Sequence, residues 1–182
     1  MTARRTISAL MAASMVLSSC VKESREMVYA SQEKKIESFV ESQTKSAPDT
    51  RVVYNSGSAR VVISEGSGME LTARGRAGIL FAGYDFSSGQ VSTSYMFATN
   101  NYEFAMSSKW ERSDESSYEV LEIDMTDKDI LEGLVNGLEG VREGEDCYIL
   151  FSGKHAFGKS RAGTIPANAP LAFRVWVQTV EN

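Results

Sequence analysis

The chain has one histidine, two cysteines and three prolines among 182 residues. A single histidine, His155, excludes the common multi-histidine metal sites, and no cysteine pair offers a substitute. A Ser-His-Asp hydrolase would need His155 as its base, and no G-x-S-x-G elbow is present. No G-x-x-x-x-G-K-[ST] phosphate loop occurs, nor a G-x-G-x-x-G in a βαβ context. The acidic residues are numerous enough for a carboxylate pair, but no spacing singles one out. Basic residues are also in deficit, 19 Lys and Arg against 24 Asp and Glu. An acidic chain without a basic stripe is a poor nucleic-acid binder.

What is present begins with a leader. Arg4 and Arg5 form a positive start, and Ile7–Leu17 is an apolar run too short for a mature membrane span. It ends in Leu17-Ser18-Ser19-Cys20, which looks like a bacterial lipobox. Residues 1–19 therefore read as a lipoprotein signal peptide, with cleavage before Cys20 and lipidation there. The alternative is an ordinary signal peptide with an incidental cysteine. Losing Arg4 and Arg5 leaves 17 basic against 24 acidic residues, a charge of −7. Such a chain is repelled by anionic lipid, so membrane contact is expected through the lipid alone. That places the protein in a bacterial cell envelope, facing the periplasm or the cell surface. Cys147 is then left without a partner, as a small hydrophobe in an apolar strand.

Residues 20–50 read as a lipid-anchored tether with a short helix. Val21–Ala30 is expected to be a tether preceding the helix. Ser31–Gln43 is expected to be helical, with Ile36, Phe39 and Val40 on one face and Glu33, Glu37 and Glu41 on another. From Arg51 the pattern turns to strands. Arg51–Tyr54 and Ala59–Ser64 flank the turn Asn55-Ser56-Gly57-Ser58, a hairpin signal. Arg76–Phe86 predicts a central strand, Ser92–Phe97 and Tyr102–Met106 shorter ones, and Tyr118–Ile123 another. Ser107–Ser117 reads as a polar insertion holding Trp110, a candidate contact or a loop staple. Ile130–Leu138 predicts a helix with apolar Ile130, Leu131, Leu134, Val135 and Leu138, capped by Asp127 or Asp129 and stopped at Gly140. Two strands follow, Glu145–Ser152 and Leu171–Glu181. In the last, Leu171, Phe173, Val175 and Val177 alternate with Ala172, Arg174, Trp176 and Gln178, the signature of a half-buried strand. Trp176 is expected to cover the N-terminal helix. Short strands around one helix predict an antiparallel α+β domain over residues 51–182.

The C-terminal fifty residues carry a more specific order. Gly144, His155-Ala156-Phe157-Gly158, Ile165-Pro166 and Leu171-Ala172-Phe173-Arg174-Val175 follow one another at a spacing that resembles the C-terminal half of FKBP-type peptidyl-prolyl isomerases. The resemblance implies a curved antiparallel sheet wrapped around one short helix. It implies a rotamase acting on proline-containing polypeptide segments, with no cofactor and no metal. It also implies a pocket, with Phe97, Phe157 and Phe173 as catalytic residues and Phe81, Leu121, Ile130, Leu131, Leu134 and Ile165 binding substrate. The chain departs from the family at the polar positions. Phe81 and Phe157 stand at its tyrosines, Ala98 at an aspartate, and Leu134 at the tryptophan that floors the pocket. Without the resemblance, Phe173 and Ile130 are ordinary core residues, while Phe157 in a loop leans towards binding.

Two readings of function follow. One is a lipid-anchored isomerase assisting folding of exported proteins. The other is a catalytically weak or inactive peptide-binding or chaperone lipoprotein on the same fold.

Overall fold

The computed structural model describes residues 3–110 and 118–182, residues 3–22 as helical backbone only. Helix α1 (Ala3–Ser46) is followed by β1 (Val52–Asn55), β2 (Ser58–Ser64), β3 (Arg76–Asp85) and, after a 3-10 turn at Thr93–Tyr95, β4 (Met96–Thr99). Then come α2 (Tyr102–Ser107), β5 (Leu121–Asp124), α3 (Glu132–Leu138), β6 (Asp146–Phe151), a 3-10 turn at Gly153–His155, and β7 (Leu171–Glu181). The strands form one antiparallel sheet in the order β1-β2-β6-β7-β3-β4, with β5 paired to β3. The α+β architecture is the expected one.

Two cores lie on the two faces of this sheet. On the inner face Ile79, Ile149, Phe151, Leu171, Phe173, Val175 and Val177 pack against Leu134 and Leu138 of α3. The helix sits close because it presents glycine to the sheet. A Cβ at Gly133 would fall 2.2 Å from the Phe151 ring, and one at Gly137 would fall 2.2 Å from Ile149. On the other face Val61, Tyr84, Phe86, Leu150 and Ala172 are covered by Ile36 and Val40 of α1. Phe39 of α1 meets Phe86 and Tyr148 edge-on, with ring centroids 5.6 and 5.5 Å apart. The last strand alternates as expected from Phe173 to Gln178, with its outward side chains less buried than its inward ones, while Leu171 and Ala172 at its start are both buried.

Four local expectations are corrected. Val21–Ala30 is helical, part of one continuous α1, with Tyr29 buried. Ser92–Phe97 begins as a 3-10 turn, and β4 starts only at Met96. Tyr102–Met106 is helix, because Asn101 Oδ1 accepts the Phe104 amide as an N-cap. The cap expected at Asp127 or Asp129 before α3 is absent. Leu131 occupies the N-cap position without a side-chain bond, and Asp127 Oδ1 instead accepts the Asp129 amide in a local turn. Gly140 does end α3, at φ +81°.

A buried ion pair joins sheet and helix. Glu145 is fully buried, with Arg60 Nε 3.2 Å and Arg51 Nη2 3.3 Å from its carboxylate. Arg60 Nη1 also donates to the carbonyls of Gly137 and Glu139, satisfying the C-terminal end of α3. Cys147 lies buried beside it, its thiol pushed up by desolvation. Residues 111–117, most of the expected polar insertion, lie outside the described residues. Trp110 packs on the outer core.

Candidate functional site

The inner face of the sheet carries an aromatic patch. Phe173 of β7 is its floor, 5% exposed. Its ring stacks on Phe151 of β6 at 5.9 Å and 14°. Phe97 of β4 meets it edge-on at 5.9 Å, and Phe81 of β3 lies tilted at 5.8 Å. These separations fall in the attractive range for aromatic pairs. Gly83 makes the arrangement possible. A Cβ there would fall 2.6 Å from Phe97 Cζ and 3.1 Å from Phe173 Cε1, so only glycine lets the Phe97 ring lie across β3.

The remaining wall comes from α3 and from the loop between β6 and β7. Leu134 and Ile165 are buried, while Ile130, Leu131 and Phe157 are half-buried against the same cluster. The structure thus brings Phe81, Phe97, Ile130, Leu131, Leu134, Phe157, Ile165 and Phe173 together. Leu121 stands apart. It pairs opposite Ile79 on β5 and is 40% exposed, at the rim rather than in the patch. The arrangement is a buried floor with half-open walls, the form that apolar binding sites take.

Few polar groups enter the patch. Thr99 Oγ1 donates to the Phe81 carbonyl at 2.6 Å, and Asn100 Oδ1 accepts the Phe81 amide at 2.6 Å. Asn100 Nδ2 reaches the carbonyls of Ile79 and Glu119. These bonds fix β3 and β4 beneath the rings and leave no hydroxyl from Phe81 or Phe157 to project among them. His155, beside Phe157, is a turn residue packed over Gly57, with Nδ1 3.0 Å from Glu132 Oε2. Among the described residues no group of three or more His, Cys, Asp or Glu could hold a metal ion.

The loop carrying Phe157 and Ile165 is tied at its base. The carbonyl of Gly153 accepts from the amides of Ala156 and Gly158, and the Asn168 amide donates to Gly158. Tyr29 and Gln32 of α1 reach this base as well. Sequence reasoning missed Gly83, Tyr29, Gln32 and Asn168. The one local signal was Asn168 itself, in a Gly- and Pro-rich loop, which adopts φ +60°.

On the opposite face Trp176 packs on the outer cluster to which Ile36 and Val40 of α1 belong. It lies against Phe104 of α2, ring centroids 5.2 Å apart, and beneath the Arg174 guanidinium at 4.9 Å. Arg174 is paired with Asp146 at 2.9 Å, which raises its pKa further. Tyr84, buried on that face, is pushed up to about 12 by desolvation. The side chain of Cys20 lies outside the described residues. Among the described residues no helix is long and apolar enough to cross a membrane.

Comparison with known proteins gives one family. The sequence model of the FKBP-type peptidyl-prolyl cis-trans isomerases matches residues 86–178. That range includes every expected pocket residue except Phe81. Among solved structures, FkpA from Escherichia coli is similar at 18% identity and TM-score 0.57, over 95% of this chain and 70% of that one. The N-terminal domain of FKBP42 from Arabidopsis thaliana is similar at 16% identity and TM-score 0.54, over 74% of this chain and 94% of that one. A peptidyl-prolyl cis-trans isomerase from Pseudomonas syringae pv. tomato gives 15% identity and TM-score 0.53, over 84% and 95%. At such identities the likeness is one of fold. No curated protein matches the sequence.

Proposed function

The chain belongs to the FKBP-type peptidyl-prolyl cis-trans isomerase family, and on that premise we propose that it accelerates rotation about X-Pro bonds in exported polypeptides. Rotating an amide costs roughly 18–20 kcal/mol because resonance is lost in the twisted state. The uncatalysed step takes on the order of tens to hundreds of seconds. A site that binds the twisted amide better than either planar form lowers that barrier. The twisted carbonyl is less polar, so a dry aromatic surface favours it, and excluding water removes what stabilises the planar form. No nucleophile or cofactor is needed.

The observation that carries the reading is the half-open aromatic patch around the buried Phe173. In it Phe97, Phe157 and Phe173 contact the rotating amide. Phe81, Ile130, Leu131, Leu134 and Ile165 hold the proline ring and the flanking chain, and Leu121 touches substrate at the rim. The absent hydroxyls at Phe81 and Phe157 and the alanine at position 98 favour a slow enzyme. A net hydrogen bond contributes about 0.5–1.5 kcal/mol, so their loss weakens turnover without abolishing it. The lipobox-like Leu17-Ser18-Ser19-Cys20 supports work at a membrane surface outside the cytoplasm, with the domain held by lipid on that cysteine.

The test is isomerisation of short X-Pro peptides by NMR exchange, with Phe173→Ala and Phe157→Ala beside the parent. Acceleration by the parent and its loss in both variants supports the isomerase. A folded parent that accelerates nothing but still binds the peptides establishes the second reading, a peptide-binding lipoprotein on this fold.

A further inference from the structure

One face of α1 changes character along its length. Ile36, Phe39 and Val40 are apolar and lie on the back of the sheet. Tyr29 and Gln32, about two turns and one turn earlier, are polar yet only 9% and 7% exposed. Both reach the base of the loop that carries Phe157 and Ile165. Tyr29 donates its hydroxyl to Asn168 Oδ1 at 2.8 Å, and Gln32 Nε2 donates to the Asn168 carbonyl at 2.7 Å. Gln32 Oε1 accepts the Gly153 amide at 2.9 Å. Gly153 and Asn168 are the two ends of the loop, so close that a Cβ on Gly153 would fall 2.1 Å from the Asn168 carbonyl oxygen. The Gly153 carbonyl in turn accepts the amides of Ala156 and Gly158, which bracket Phe157. One glutamine side chain therefore bridges both ends of the loop, and the Phe157 turn hangs from one of them.

We propose that Tyr29, Gln32 and Asn168 are positioning residues, through which the N-terminal helix fixes Phe157 and Ile165 over the Phe173 floor. This rests on the isomerase reading for its consequence on turnover, and on the structure alone for its consequence on the loop. Placement matters because contacts to a rotating amide must be held within a fraction of an ångström. A buried glutamine that loses its partners also leaves them unsatisfied, so the loop base loosens when Gln32 is cut back.

The test uses the full chain with Tyr29→Phe, Gln32→Ala and Val40→Ala. Val40→Ala removes packing from the same helix without touching the loop. Gln32→Ala is expected to lower kcat/KM for X-Pro peptides about tenfold, chiefly in kcat, and Tyr29→Phe several-fold. Amide hydrogen exchange at Ala156 and Gly158 is expected to speed up about tenfold or more in Gln32→Ala. Val40→Ala lowers the melting midpoint and leaves both readouts unchanged. Unchanged exchange in Gln32→Ala, or the same changes in Val40→Ala, overturns the proposal. If the parent turns over no X-Pro peptide, the isomerase reading falls, and faster exchange at Ala156 and Gly158 still upholds the clamp.

Discussion

The Phe151 ring lies directly on the backbone of Gly133, where a Cβ would come 2.2 Å from its Cγ. Phe151 in turn stacks on Phe173 at 5.9 Å. The helix α3, the β6 ring and the floor of the site are thus one column in contact. A methyl group at position 133 has no flexible side-chain end to displace, only a ring already sandwiched. Gly133→Ala is expected to destabilise the fold by about 1–3 kcal/mol, as overpacking does. It should also lower isomerase activity by tilting Phe173. Denaturant melts together with peptide exchange rates check both; a neutral substitution would mean the column yields without cost.

The buried carboxylate of Glu145 makes stability depend on pH. Burial is the largest influence and lifts its pKa above the ordinary 4.5, with Arg60 and Arg51 opposing in part. The folded state therefore holds this proton more tightly than the unfolded state. The group's contribution is fully present below 4.5 and is lost as pH rises through the folded value. Glu145→Gln removes the titration and leaves Arg60 buried without its counter-charge, which costs on the order of 3 kcal/mol. The stability difference between parent and variant should then shrink as pH rises from about 4.5, in denaturant melts from pH 4 to 8. A difference that grows over that range would show the arginines outweighing burial.

The strands and α3 were legible because each carries its own period: alternation in β7, an apolar stripe in Ile130–Leu138, and a Gly turn at Ser56-Gly57 between β1 and β2. Phe157, Ile165 and Phe173 of the patch were legible through the ordered motifs from Gly144 to Val175, and the others only through what the family resemblance implies. What was not legible depends on distant partners. Val21–Ala30 shows no apolar stripe, because its buried residue is Tyr29, which with Gln32 just beyond it meets a loop more than 130 residues away. Tyr102–Met106 alternates like a strand, and only Asn101 acting on Phe104 reveals the helix. Gly133 and Gly137 set the distance of α3 from the sheet, which only the facing Phe151 and Ile149 reveal. Leu121, expected to bind substrate, sits outside the patch, opposite Ile79 and 40% exposed.

Anchoring has a separate test. The lipobox reading expects the full chain, expressed in a bacterial envelope, to fractionate with membranes and to partition into detergent. Cys20→Ser is expected to release the domain to the soluble fraction, since its surplus of acidic residues repels anionic lipid. Retention of Cys20→Ser in the membrane would point to a contact other than lipid.

Phe157 offers a gain-of-function test, which is more discriminating than a loss. Its ring is half-buried against the site, in a turn fixed by Gly153 and Gly158. A tyrosine there adds one hydroxyl and leaves the ring's packing unchanged. If the patch binds a twisted X-Pro amide, the hydroxyl reaches a carbonyl of the bound chain and donates to it. A net hydrogen bond of about 0.5–1.5 kcal/mol corresponds to roughly a twofold to tenfold rise in kcat/KM. The same change at Phe81, whose ring lies tilted against Phe173, is the comparison, and Phe157→Tyr is expected to gain more than Phe81→Tyr. Equal or no gain from either, with both variants folded, would mean that substrate carbonyls do not lie over Phe157 and that the patch takes its peptide in another orientation.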